Sequence, residues 1–231
     1  MAAGGDVVDV DVVMTGDGVL IAFHDGTLER TTNGKGLVAD KTYADIAKLD
    51  AGYRFSRGGK FPYRGKNVRV PTVESVLRAF PKHLATLDLK DQRTEVALPV
   101  CQMLRRVGRT DVYVGVDTTA QVLSFRKNCP EVRTSGTDAD RQIARAARDS
   151  GDASYVSNQL VSQPSYIGRD GTKRITAEFL AFSHRFNTAV LTYVVDDPRD
   201  MEELIDLGID GIYTRRPDLM VKILRRKRLL K

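Results

Sequence analysis

Two carboxylates and a histidine stand close together near the start of the chain, in Asp9-Val10-Asp11, then Thr15-Gly16-Asp17-Gly18, then Phe23-His24-Asp25. Val8, Val10 and Val12 alternate with the aspartates at the period of a β-strand. Asp9 and Asp11 therefore project from one face while the valines enter apolar packing on the other. Two carboxylates on one face repel unless positive charge lies between them. A hard divalent cation meets that need with oxygen ligands, and the nearby His24 then reads as acid–base equipment for chemistry at the metal.

A second segment repeats the pattern. In Thr86-Leu87-Asp88-Leu89-Lys90 the leucines face one layer while Asp88 and Lys90 face the other. Asp88 is expected to be a third metal ligand, and Lys90 to attract a phosphate oxygen while moderating the clustered negative charge. His83, at a helix-to-strand junction, and His184, within a helix, have no such company and are expected to be structural.

The elements that must hold these residues follow from hydrophobic periodicity. Helices are predicted near 72–80, 93–107, 119–128, 139–150, 177–187, 198–207 and 217–228, alternating with strands near 85–90, 111–116, 132–134, 153–156, 189–194 and 211–214. Repeated strand–helix units specify an α/β fold with a parallel sheet. Their number favours a closed (β/α)8 barrel over an open doubly wound sheet, with active-site residues at the C-terminal ends of strands. The 19–23 strand is assigned to a hairpin with the first strand. About seven barrel strands then remain, and the eighth, with most of its helix, would precede residue 1. Residues 26–69 hold many glycines, basic residues and aromatics and one short predicted helix at 43–49, so they are expected to form a functional excursion from a single domain spanning 1–231.

The 231 residues are 42% hydrophobic and 29% charged, the balance of a globular chain able to bury a substantial core. No apolar run reaches the roughly 18 residues of a membrane span, and the N-terminus has neither a basic n-region nor an apolar h-region. A cytoplasmic protein is expected, with an upstream signal or anchor left open. Much of the formal charge of +6 sits in Lys222, Arg225, Arg226, Lys227, Arg228 and Lys231, and no nucleic-acid-binding motif accompanies it. These residues read as the solvated face of a last helix whose Leu219, Met220, Ile223 and Leu224 form the buried stripe. Weak contact of this helix with an anionic membrane surface is the alternative, and suits a lipid-derived substrate. Cys101 and Cys129 lie in neither a CxxC nor a His-rich setting and are expected to be reduced, packed thiols.

Taken in order, Asp9-Val10-Asp11, Thr15-Gly16-Asp17-Gly18, His24-Asp25, Arg30-Thr31-Thr32-Asn33-Gly34-Lys35-Gly36, Val70-Pro71-Thr72-Val73-Glu74-Ser75-Val76-Leu77, Leu87-Asp88-Leu89-Lys90 and Gly208-Ile209-Asp210-Gly211-Ile212-Tyr213-Thr214 with Pro217 resemble the recurrent segments of the glycerophosphodiester phosphodiesterase family. Each segment alone is weak. The ordered set is specific and runs over nearly the whole chain. The resemblance implies a (β/α)8 barrel with an insertion after its second strand, matching 26–69, and hydrolysis of a glycerophosphodiester or lysophospholipid to an alcohol and sn-glycerol 3-phosphate. It further implies calcium or magnesium held by Asp9, Asp11 and Asp88, His24 as one of two acid–base histidines, and Lys90 assisting at the phosphate. Tyr193 stands where the family usually has tryptophan, which implies an aromatic wall against substrate. The family's residues at Asp9 and Asp88 are usually glutamates, and the shorter aspartates imply a shifted metal or an intervening water. The family's His-Arg-Gly and Glu-Asn segments, which carry the second histidine and a phosphate-contacting arginine, would lie upstream of residue 1.

Two functional classes follow. One is a metal-dependent phosphodiesterase of glycerophospholipid metabolism whose sequence begins before residue 1. The other is a catalytically impaired homologue that binds phosphoesters or a protein partner. Joint retention of Asp9, Asp11, His24, Asp88 and Lys90 favours the first, because a chain freed from catalysis has no physical reason to converge unneutralised carboxylates.

Overall fold

The computed structural model describes residues 4–116, 118–152, 154 and 161–230, which divide into two compact units. The first, Val7–Arg133, is built on β1 (Val7–Met14), β2 (Leu20–Ala22), β3 (Leu84–Leu89) and β4 (Tyr113–Val116), ordered β2-β1-β3-β4, with the short β5 (Arg133–Thr134) beyond β4. β1 and β2 form the expected antiparallel hairpin, while β1, β3 and β4 run parallel. The Thr15-Gly16-Asp17-Gly18 segment is the turn of that hairpin. The Thr15 hydroxyl donates to Asp17 Oδ1 at 2.6 Å, and the Tyr43 amide donates to the same oxygen at 2.9 Å. A Cβ on Gly16 would lie 2.6 Å from the Ala39 carbonyl oxygen, so glycine is required for this close approach.

The alternation of β1 and β3 sends Val10, Val12, Leu87 and Leu89 into a core shared with α2 (Val73–Ala79), α3 (Ala97–Val107) and α4 (Thr119–Asn128). Local chemistry sets the ends of these helices. Thr72 and Thr118 accept at their side chains from the Ser75 and Gln121 amides, and Gly108 closes α3 at φ 68°. Cys101 on α3 and Cys129 at the end of α4 are joined in a disulfide with Cα atoms 5.7 Å apart, which corrects the expectation of reduced thiols. Their spacing in sequence carries no signal that α3 and α4 become neighbours, and only that packing brings the two sulfurs together.

A second core in this unit gathers Val13, Ile21, Phe23, Leu28, Val38, Ile46 and Val70 beneath the 26–69 excursion. The excursion contains a 3-10 turn at Val38–Asp40 and α1 (Tyr43–Ile46), shorter than the 43–49 helix predicted for it.

The second unit comprises Met1–Asp6 and Thr134–Lys231. It contains α5 (Asp138–Ser150), β6 (Val161–Ser162), α6 (Ala177–Arg185), β7 (Ala189–Thr192), α7 (Pro198–Leu207), β8 (Gly211–Ile212) and α8 (Pro217–Arg226), with β6, β7 and β8 parallel in that order. Leu180, Val190, Met201, Leu204 and Ile223 form its core, with Leu219 and Met220 packed at the edge. The strand predicted at 153–156 falls, except for Ser154, outside the described residues; β6 has no counterpart in the sequence reading. His184 on α6 bonds Asp210 at 2.8 Å, and Asp210 also accepts from the Val190 amide at 2.7 Å, a structural setting. Among the described residues no helix is long and apolar enough to cross a membrane.

Candidate active site

Parallel pairing of β1 with β3 sets Asp9 opposite Thr86 and Asp11 opposite Asp88. The four side chains share the face opposite the apolar core, as period-two alternation requires. The chain then leaves β3 through Lys90, whose amide still bonds the Val12 carbonyl at 3.1 Å, so its side chain returns to the carboxylate face. Lys90 Nζ donates to Asp88 Oδ2 at 2.5 Å and stands 3.7 Å from Asp11 Oδ1. An ammonium thus lies between the two paired strands' carboxylates, where the sequence places it. Asp9 accepts a hydrogen bond from the Thr86 hydroxyl. Its surface is open to water, yet its pKa is raised. Desolvation by the surrounding protein dominates and repulsion from Asp11 and Asp88 adds to it, against the opposing Thr86 bond.

The hairpin brings the histidine to the same level. The Phe23 amide donates to the Asp11 carbonyl at 2.9 Å, and His24 follows directly. His24 Nδ1 lies 2.8 Å from Asp25 Oδ1, and the imidazole is largely exposed. A carboxylate only accepts, so the shared proton sits on Nδ1 and leaves Nε2 for proton exchange with a ligand. Asp25 is itself gripped by Arg30, whose Nε and Nη2 both donate to it, the second at 2.9 Å to Oδ1. The Arg30 bond, helped by His24, holds the Asp25 carboxyl below the usual carboxylate range despite partial desolvation. Arg30 also feels the charge of Asp11, which ties the histidine group to the carboxylate strand.

Several residues here escape a reading of the sequence. Thr86 lies two positions before Asp88 on the same face, a signal that strand period carries but chemistry alone does not flag. Arg30 orients the partner of His24 through its two bonds to Asp25. Asp91 and Arg93 form a clamp at the strand ends: Asp91 accepts from the Met14 amide at 3.2 Å and from Arg93 Nε at 2.8 Å, while Arg93 Nη2 donates to the Met14 carbonyl at 2.7 Å. Tyr193 follows β7 in the second unit and is half exposed. Its assignment to substrate contact rests on the resemblance alone. A cavity of about 260 Å³ in the first unit is lined by Gly18, Leu20, Thr72, Met103 and Arg106 and by none of the candidate residues.

The donor set of Asp9, Asp11 and Asp88 is all carboxylate oxygen, the chemistry of a hard divalent cation, and repulsion among them adds, behind desolvation, to the raised Asp9 pKa. The residues therefore fit such an ion. Their oxygens do not all come within 4.8 Å of one another; among the described residues only Cys101, Cys129 and Glu131 do so, and those sulfurs are bonded to each other.

The fold is of the (β/α)8 class shared by solved phosphodiesterase structures. A glycerophosphodiester phosphodiesterase from Agrobacterium tumefaciens superposes with a TM-score of 0.72 at 25% identity, over 96% of this chain and 88% of that one. A phosphodiesterase from Oleispira antarctica, solved with the product sn-glycerol-3-phosphate, has the same fold with a TM-score of 0.77 at 18% identity, over 97% of this chain and 87% of that one. Residues 1–219 match the model of the Glycerophosphoryl diester phosphodiesterase family, and the chain belongs to that family, whose members are phosphoric diester hydrolases. A glycerophosphodiester phosphodiesterase of Bacillus subtilis is 28% identical over 94% of this chain and 76% of the relative.

Proposed function

We propose that the protein hydrolyses glycerophosphodiesters of phospholipid metabolism to an alcohol and sn-glycerol 3-phosphate, with calcium or magnesium held by Asp9, Asp11 and Asp88. The observation that supports it most is the register of β1 on β3, which faces Asp11 to Asp88 with Lys90 Nζ beside both. When bound, the cation neutralises charge on the phosphoryl oxygens. Lys90 binds a phosphate oxygen through the ammonium it now shares with Asp88. His24 exchanges a proton with the ester or leaving oxygen at Nε2, and Asp25, clamped by Arg30, fixes the tautomer that makes this exchange available.

Turnover of glycerophosphocholine by the full chain, followed by release of glycerol 3-phosphate, tests the reading. Activity is expected to vanish with chelator and return with calcium or magnesium. Asp11→Ala should abolish it with an unchanged thermal melt. Activity indifferent to chelator, or retained in Asp11→Ala, would overturn the ligand assignment. A phosphoester-binding role without catalysis predicts tight glycerol 3-phosphate binding and no turnover under any metal.

A further inference from the structure

Between Asp50 and Glu74 the chain contains no acidic residue and six basic ones, Arg54, Arg57, Lys60, Arg64, Lys66 and Arg69. Every residue from 54 to 69 is exposed, including Phe55 at 51%, Phe61 at 41% and Tyr63 at 50%. Soluble surfaces scatter single apolar side chains, whereas three clustered aromatics in water mark a surface that meets something. None of the six cations forms an ion pair among the described residues.

The segment is nonetheless well ordered. Asp50 ties its base by accepting from the Gly52 amide at 2.9 Å and the Gly65 amide at 2.7 Å, and the Ala51 amide bonds the Val68 carbonyl at 2.9 Å. At its tip Arg57 and Lys60 exchange amide–carbonyl bonds of 2.9 and 3.1 Å around Gly58 and Gly59, whose φ angles of 56° and 74° suit a tight hairpin turn. That turn holds two cations forward with Phe55 and Phe61 flanking them. Phe55 and Tyr63 touch with ring centroids 5.1 Å apart, and the Arg64 guanidinium covers the faces of Phe61 at 3.8 Å and Tyr53 at 4.3 Å.

We propose that residues 53–68 are a docking surface for an anionic phospholipid bilayer, with Phe55, Phe61 and Tyr63 entering the headgroup layer and the cations meeting lipid phosphates. Aromatics with basic neighbours are the side chains that favour this interface. A preformed hairpin loses little freedom on binding. Single-stranded nucleic acid is disfavoured because its bases stack on open aromatic faces, and Arg64 already occupies two of them. The C-terminal helix is the weaker candidate, since Arg226 and Lys227 are engaged by Glu202 and Asp206. The Arg54 amide bonds the Thr31 carbonyl at 3.4 Å, next to Arg30 of the His24 group, so a docked loop has its base beside the candidate active site.

Flotation of the full chain with vesicles of mixed phosphatidylglycerol and phosphatidylcholine, against phosphatidylcholine alone, tests the proposal independently of catalysis. Binding is expected on the anionic vesicles only. Arg57→Glu with Lys60→Glu should weaken it at least 25-fold, at about fivefold per cation lost. Phe55→Ser with Phe61→Ser should weaken it at least fivefold at unchanged charge. Thermal melts check that both variants fold. The chain has no tryptophan, so Tyr63→Trp supplies a reporter whose emission should shift to the blue on anionic vesicles even if the other variants misfold. Absence of binding, loss through charge but not through the phenylalanines, loss only with Lys222→Glu and Arg225→Glu on the last helix, or an unshifted reporter would each overturn it.

Discussion

His24 has a carboxylate on one ring nitrogen while the rest of its imidazole is largely exposed, and this asymmetry decides what each neighbouring substitution should do. Asp25 fixes Nδ1 as the donor, and its pKa, depressed chiefly by Arg30, keeps it ionised throughout the range in which a histidine titrates. His24→Ala is therefore expected to lower kcat by about 100-fold or more while leaving metal affinity unchanged. Asp25→Asn should lower kcat by about 10-fold with little change in KM, because the substrate still binds but the imidazole is released from its tautomer. Steady-state kinetics with calcium titration separate these outcomes. A collapse of metal affinity in His24→Ala would make His24 a ligand instead. At this scale the sequence was highly informative wherever period-two alternation applied: Asp9, Asp11, Asp88 and Lys90 share the face it assigns them. It was silent on Arg30, because the bond to Asp25 depends on how the excursion folds back and no local period records that.

Among the elements, β1 and β3 carry the candidate site and the Asp91–Arg93 clamp locks their ends together. Asp91 is almost fully buried, so its carboxyl relies on the Arg93 side chain and on the Met14 and Arg93 amides. Burial alone would raise its pKa, but these bonds together hold it below the ordinary value. A depressed folded pKa contributes stability that is complete above the unfolded value of about 3.9 and is lost as pH falls through the folded one. Asp91→Ala should cost about 3 kcal/mol at neutral pH and flatten the acid side of the stability curve, measured by urea unfolding between pH 3 and 7. Unchanged acid dependence would remove Asp91 from that role. The Cys101–Cys129 bridge links α3 to α4 across 28 positions, and loop-closure entropy assigns it about 3–4 kcal/mol. Reductant should lower the Tm, and a Cys101→Ala, Cys129→Ala double variant should melt low with or without reductant. Disulfides persist in oxidising compartments, so the bridge bears on location in a way that composition did not. Helix positions were legible because caps and apolar stripes are local signals; the two-residue β5 and β8 fall within the strands expected near 132–134 and 211–214, whereas β6, equally short, left no period to show.

Across the whole molecule the charge is unevenly placed. The formal net charge is +6, and the acid-free stretch between Asp50 and Glu74 carries six cations, so the remainder of the chain is balanced. The sequence reading put the excess on the last helix, where basic residues are dense, but α7 supplies Glu202 and Asp206 against two of them. Density of one sign in sequence does not measure field; pairing in space does. The excursion is therefore the main source of positive potential in its unit, and its base borders the His24 group. A field of this kind speeds the encounter with anionic ligands and fades as salt shortens the Debye length from about 30 Å at 0.01 M to about 10 Å at 0.1 M. For an anionic glycerophosphodiester such as glycerophosphoinositol, kcat/KM should fall roughly threefold over that range of salt, while zwitterionic glycerophosphocholine should show little change. Replacing Arg54, Arg57, Lys60 and Lys66 with glutamine should flatten the anionic profile and leave kcat for both substrates intact, since none of the four bonds a candidate catalytic group. Parallel salt profiles for native and variant protein would show that the positive potential arises elsewhere in the chain.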